Sequence, residues 1–117
     1  MNIEQFRNHC IKKKGVTEEF PFGNETLVFK VMGKLFALTS IDTFESINLK
    51  CDPEEAVLLR EKYDAVQPGY HMNKKHWNTI VLDGSLSDKM IFKLMDDSYN
   101  LVVEGLTKAE KKALQEL

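Results

Sequence analysis

The segment Tyr70-His71-Met72-Asn73-Lys74-Lys75-His76-Trp77-Asn78-Thr79 gathers two of the chain's three histidines, its single tryptophan and an adjacent pair of lysines. Three chemistries are open to such a set: metal ligation by imidazole, anion contact by lysine, and hydrogen bonding or stacking by asparagine and tryptophan. Metal ligation is the least supported. A zinc site needs about four convergent donors, and elsewhere in the chain only Cys51, Asp52 or His9 stand as candidates to complete one. The two imidazoles are better read as bonded to loop backbone or standing in solvent. Trp77 opens a strand-like run and reads as a core anchor whose indole N–H finds a partner. A small-molecule pocket beneath this segment, near His71 and His76, is a further reading.

Covalent chemistry has little to build on. Cys10 and Cys51 lack CxxC spacing and neighbours that would lower a thiol pKa, so they read as small apolar side chains rather than as a disulfide or a nucleophile. The carboxylate pairs Glu54-Glu55 and Asp96-Asp97 fall on predicted helices, where such pairs are solvated surface. No catalytic motif, metal signature or phosphate loop appears. The expectation is a binding module without enzymatic activity, metal or cofactor.

The elements that position these residues follow from periodicity. Residues 2–14 read as a helix capped by Asn2, with Ile3, Phe6 and Cys10 on one face and Lys12-Lys13-Lys14 before Gly15. Residues 16–23, interrupted by Pro21, read as an ordered loop sealing one end of the core. From Thr26 the period becomes two: Leu27, Phe29 and Val31 oppose Val28, Lys30 and Met32, and a hairpin at Gly33-Lys34 leads into residues 35–40. A third strand over 46–51 turns Ile47, Leu49 and Cys51 inward and Asn48 and Lys50 outward, completing an antiparallel meander. Asp52-Pro53-Glu54-Glu55 starts a helix running to about Tyr63. Trp77 to Leu82 is another strand. Ser87 caps a helix striped by Ile91, Leu94, Met95, Leu101 and Val102, and Thr107 with Glu110 forms a capping box for a short terminal helix. The sum is an α+β fold: an antiparallel sheet of about four or five strands with helices on one face and the other open to solvent. Lys30, Asn48 and Lys50 should project from that open face.

A chain of 117 residues suits one domain, 1–117, with a core that needs no disulfide or metal. No run reaches the roughly 20 apolar residues that span a bilayer, and Met1-Asn2-Ile3-Glu4 lacks the apolar core of a signal peptide. A cytoplasmic monomer with no membrane contact is expected. The formal net charge of -2 argues against a strongly basic nucleic-acid binder, but the charge is unevenly spread. Residues 1–14 and 65–79 are net positive, whereas 52–64 and 80–105 are net negative. Lys30, Lys34, Lys50, Lys74 and Lys75 fall in the sheet and its loops, so one face would be able to meet phosphate. The competing reading is that these lysines are solvated residues that protect strand edges from aggregation.

The stretches Gly15-Val16-Thr17-Glu18-Glu19-Phe20-Pro21-Phe22-Gly23, Phe29-Lys30-Val31-Met32-Gly33-Lys34-Leu35-Phe36-Ala37-Leu38, Asn48-Leu49-Lys50-Cys51-Asp52-Pro53 and Tyr70 to Thr79, followed by Leu82-Asp83-Gly84, resemble the MmcQ/YjbR family of small bacterial proteins. The resemblance covers nearly the whole chain. It implies a CyaY-like, double-wing architecture, in which β-hairpins project beside helices, and DNA binding, a label that rests on analogy of fold. Carried onto this sequence it points to Lys30, Lys34, Lys50, Asn73, Lys74, Lys75, His76 and Trp77. The leading reading is then a module that contacts DNA through wing and sheet lysines, with Asn48, Asn73 and Asn78 as hydrogen-bonding partners. A protein-interaction module, recruiting a partner through the acidic helices or the open sheet face, is the alternative.

Overall fold

A computed structural model describes residues 1–70 and 72–117; His71, one of the two histidines singled out above, lies outside the described residues. The elements in chain order are α1 (Ile3–Ile11), β1 (Val16–Glu19), β2 (Thr26–Val31), β3 (Lys34–Ser40), β4 (Ser46–Lys50), α2 (Pro53–Lys62), β5 (Val66–Pro68), β6 (Trp77–Val81), α3 (Asp88–Glu104) and α4 (Lys108–Gln115). The strands form one sheet in the order β1-β2-β3-β4-β6-β5, every pair antiparallel. The α+β architecture and the central meander are as the alternation predicts.

The sheet has six strands, not four or five. The two extra strands are its edges, and neither carries an alternating apolar pattern. β1 is Val16-Thr17-Glu18-Glu19, with acidic side chains that blunt an exposed edge, so the segment expected to be only a loop begins as a strand. β5 is three residues long and ends in Pro68, whose missing N–H is tolerated at an edge. α1 also stops at Ile11 rather than Lys14, because the chain must turn at Gly15, where φ is 76°. The β2–β3 hairpin turns on Met32 and Gly33, both at positive φ (49° and 80°), the geometry that matches the twist of the flanking strands. Lys34 therefore begins β3 instead of forming the turn.

Leu27, Phe29, Val31, Ile47, Leu49, Val66 and Ile80 share one sheet face and pack with Phe6 and Cys10 of α1 and with Ile91, Leu94, Met95 and Val102 of α3. Cys10 is free and buried in this core, as a small apolar side chain. A β-bulge between Phe29 and Lys30 on β2 leaves Phe36 of β3 without a direct partner. Phe36 is thereby turned inward with Ala37; it is fully buried and meets Tyr99 edge-to-face at 5.5 Å.

Ser98 of α3 occupies the gap this leaves. Where the next rung would join Phe36 to Lys50, the fully buried Ser98 hydroxyl donates to the Phe36 carbonyl (2.5 Å) and accepts from the Lys50 N–H (2.9 Å). On the same helix, Asp96 is met by both His9 of α1 (2.7 Å) and Lys13 just past its end. Burial alone would raise the Asp96 carboxyl, but the hydrogen bonds and charges of Lys13 and His9 outweigh it and hold the group below its ordinary value.

Replacing Ser98 by Ala strands two buried backbone groups, and the expected loss is about 1–3 kcal/mol in urea unfolding; a change within a few tenths of a kcal/mol would show that solvent or backbone shift replaces the hydroxyl. Asp96 gives a pH signature. A carboxyl depressed in the folded state contributes stability above its unfolded value of roughly 3.9 and loses it as pH falls through the folded value. Asp96→Asn should therefore lower the unfolding midpoint at neutral pH, with the gap to wild type closing as the solution is taken below about pH 4. A gap that stays constant into that range would contradict the assignment.

Candidate functional site

The side of the sheet away from α1 and α3 carries, by strand alternation, Val28 and Lys30 of β2, Leu38 of β3, Asn48 and Lys50 of β4, Trp77 and Thr79 of β6, and Gln67 of β5. Lys30, Asn48 and Lys50 thus share a face, as the alternation predicts. Trp77 lies directly across from Lys50. It is 8% exposed, so it is an anchor, but on the helix-free side rather than in the main core. Its packing partner is the chain just past β5: a Cβ on Gly69 would lie 2.8 Å from the Trp77 Cβ, and the Gly69 N–H donates to the Trp77 carbonyl (2.9 Å). Only glycine fits there.

Thr79 ties the face together. Its hydroxyl donates to Asn48 Oδ1 (2.5 Å) and accepts from the Tyr70 N–H (2.9 Å), which holds the exposed Tyr70 at the margin of the sheet. Lys30 approaches Glu19 at 3.4 Å, so its charge is partly balanced across the strand pair. Lys50 has no ion-pair partner among the described residues.

The remaining members of the focal stretch are committed largely to closing the loop. Asn73 Oδ1 accepts from the Lys75 N–H (2.9 Å), and the Asn73 carbonyl accepts from His76 (3.2 Å) and Trp77 (3.0 Å), a side-chain-stabilised turn. The His76 carbonyl takes the Cys51 N–H (2.8 Å). Lys74 donates its amine to the Gly69 carbonyl (3.1 Å), and Arg60 of α2 donates to the Lys74 carbonyl (2.7 Å). Lys75 lies beside Pro53, Val57 and Leu58 of α2 instead of on the sheet face. Lys34, paired with the core-facing Val31, sits on the helix side, where its charge helps to lower the Glu110 carboxyl of α4 behind the hydrogen bonds of Thr107. Of the ten residues singled out from the sequence, the structure brings Lys30, Asn48, Lys50 and Trp77 together, with Asn73, Lys74 and His76 in the loop at their margin.

Asn78 is the outlier. It pairs with Leu49 across the β4–β6 ladder and faces the helices, 2% exposed. The pattern of β6 carried this signal, since Asn78 has the parity of Ile80 while Trp77 has that of Thr79. A cavity lies on this helix side, between α2, α3 and strands β4 and β6, and Asn78 is the focal stretch's contribution to it. The pocket expected near His71 and His76 falls partly outside the described residues, and His76 lines neither this cavity nor the one beside Lys75. Residues that sequence reasoning passed over are Thr79, Gly69 and Arg60; the five-residue interval before Lys74 and the adjacency to Pro68 are the only hints that Gly69 is constrained.

The thiols are poor nucleophiles here. Burial pushes Cys10 up to about 12, and burial with the charges of Glu55, Asp52 and Asp97 pushes Cys51 up to about 11. Among the described residues no group of three or more His, Cys, Asp or Glu side chains converges in a way that would hold a metal ion.

The fold and the sequence place the chain among known relatives. An Escherichia coli O157:H7 protein, described as uncharacterised and called YbdF, is 43% identical over 97 residues, covering 82% of this chain and 80% of its own length. The uncharacterised protein YjbR of Escherichia coli strain K12 is 36% identical over 118 residues and matches along the full length of both chains. The crystal structure of Deinococcus radiodurans protein DR2400 superposes with a TM-score of 0.90 at 41% identity, covering 97% of this chain and 88% of that one. A Pseudomonas syringae protein superposes at 0.74 with 34% identity, over 86% and 98% of the two chains. The YjbR family model matches residues 11–101, which span the sheet, the focal stretch and most of α3, and the chain therefore belongs to the YjbR family.

Proposed function

We propose that the protein is a non-enzymatic DNA-binding module whose contact surface is the helix-free face of the sheet. The observation that carries this reading is the register that sets Lys30, Asn48, Lys50 and Trp77 on one face, while the acidic residues of α2 and α3 lie on the other side. Lys50 and Lys30 supply phosphate contacts. Asn48, with its carbonyl end already fixed by Thr79, presents its N–H2 end to a base or sugar. The β2–β3 hairpin, closed by Met32 and Gly33, serves as a wing beside this surface.

Two cations, Lys30 and Lys50, on a sheet face favour a single strand over a duplex groove. A single strand lays its bases against a sheet and stacks them on aromatic rings, and Tyr70 stands 69% exposed at the margin of this one. The interaction is weak and salt-dependent, in keeping with the acidic total.

Fluorescence anisotropy with labelled single- and double-stranded DNA at low and moderate salt tests the proposal. The single strand is expected to bind more tightly. Replacing Lys30 and Lys50 by Ala is expected to reduce the slope of log affinity against log salt by roughly one to one and a half, since each neutralised single-strand phosphate contributes about 0.7. Unchanged affinity in that double variant would remove this surface from consideration. Absence of binding even at low salt would favour the second reading, a protein-interaction module, which is supported by the exposed Val57 (49%) and Leu58 (59%) on α2, flanked by Lys75 and Arg60. Copurification of a protein lost on Val57→Ser with Leu58→Ser is the result that reading requires.

A further inference from the structure

A buried carboxamide with nothing to bond to points to a ligand. Asn78 is 2% exposed, and neither its Nδ2 nor its Oδ1 has a hydrogen-bond partner among the described residues. Buried side-chain polar atoms are paired in the large majority of cases, so an amide orphaned at both ends is exceptional. Asn78 is one of the residues lining a cavity of about 510 Å³ between α2, α3 and the β4–β6 pair, and its two amide atoms, closed to solvent, become reachable when an occupant moves the side chains over them. That volume falls within the range of small-molecule sites, roughly 300–1,000 Å³.

The walls and mouth narrow the chemistry. Leu49, Leu59, Ile80 and Leu94 are among the lining residues, so the cavity offers apolar walls to an apolar body between the sheet and the helices. Asp52, Glu55, Asp97 and Glu104 also line the cavity, all exposed at its mouth. Asp97 is paired with Lys93 at 2.7 Å and Asp52 caps α2, whereas Glu55 and Glu104 have no ion-pair partner among the described residues. Cys51, on the same wall, registers this negative field. Its thiol is raised chiefly by burial and then by Glu55, Asp52 and Asp97. Lys50, also on the lining, sets one cation against these four carboxylates, so a phosphate or carboxylate is still disfavoured at this entrance.

We infer that this cavity is a binding site for a small, phosphate-free aminated nitrogen heterocycle, with Asn78 reading its edge. A ring carrying an amino group beside a ring nitrogen presents one donor and one acceptor side by side, the complement of the carboxamide's Oδ1 and Nδ2, as in the bidentate pairing of asparagine with adenine. The ring faces lie against the leucines. Amino or other N–H groups on the outer edge are received by Glu55 and Glu104. The site lies on the helix side of the sheet, away from Lys30, and although Lys50 reaches its rim the inference does not depend on the DNA-binding reading.

Adenosine and AMP serve as probes in a titration of the isotopically labelled protein, followed by amide chemical shifts. Adenosine is expected to perturb Leu49, Asn78 and Leu101, and AMP to bind at least about tenfold more weakly because its charge meets the acidic mouth. Asn78→Leu, close in size, is expected to abolish the adenosine shifts while the spectrum stays dispersed. Asn100→Trp, at an exposed position on the lining, plugs the entrance without touching the core and is expected to do the same. The inference is overturned by the absence of shifts at about 10 mM adenosine, where even a millimolar Kd would register. Shifts confined to the helix-free face, or retained in both variants, or as large for AMP at equal concentration, overturn it equally.

Discussion

The hydroxyl of Ser98 is the contact on which the rest of the architecture turns. A helix packed on a sheet is normally held by apolar side chains alone, and such contacts allow it to slide. Here α3 places one small polar group between β3 and β4 where their direct ladder lapses, and the group satisfies a donor on one strand and an acceptor on the other. The interaction exists because the bulge opposite Lys30 gives β3 one residue more than its partner strand and turns Phe36 into the core. Hydrogen bonds to buried backbone are individually modest, about 0.5–1.5 kcal/mol each, but leaving either end unpaired costs more than the bond contributes. Helix position, strand spacing and the orientation of Phe36 are therefore coupled. The cavity beside α3 inherits that coupling, since Leu94, Asp97 and Leu101 reach it from the same helix.

The focal stretch illustrates how residues with rich chemistry can be occupied by structure. Asn73 makes a turn, Lys74 satisfies a carbonyl, His76 offers its own carbonyl to Cys51, and Trp77 fills the space that Gly69 leaves. These roles follow from an ordinary constraint: the chain must cross from the edge strand β5 to the interior strand β6, and every backbone polar group on the way needs a partner. A histidine pair and a lysine pair near each other in sequence need not converge in space, and here Lys75 departs toward α2 while Asn78 passes through the sheet.

Much of the fold was legible because it rests on local rules. Thr107 with Glu110 forms the capping box its spacing implies, Asn2 caps α1 as expected, with Gln5 completing a box that was not read from the sequence, and Asp52-Pro53 and Ser87 open helices where expected. The alternation of Leu27, Phe29 and Val31 and of Ile47 and Leu49 correctly identified the core face. Edge strands were the loss. β1 and β5 are specified by pairing to a neighbour and not by their own pattern, and a proline or two glutamates, which argue against an interior strand, are what an edge uses to stay unpaired on its outer side. The bulge at Phe36 was equally hidden, because an extra residue in a strand leaves no mark in composition.

For the candidate site, the same period of two that set Lys30, Asn48 and Lys50 on one face carried information about β6 that grouping by chemical type obscured. Asn78 reads by type as a hydrogen-bonding partner on the same surface as Trp77, yet in a strand adjacent residues lie on opposite faces. Its parity with Ile80 marks it as inward, and an inward asparagine is a different object from an exposed one. Burying a carboxamide without partners costs about 1–3 kcal/mol by the mutational scale, and an apolar residue of similar volume would relieve that cost. The stability of the fold alone gives no reason for asparagine at this position. The inferred ligand would give one, since the same two atoms that weaken the isolated protein would be satisfied by a complementary edge, and the cost of leaving them unpaired would become part of the selectivity for what enters the cavity that Asn78 lines.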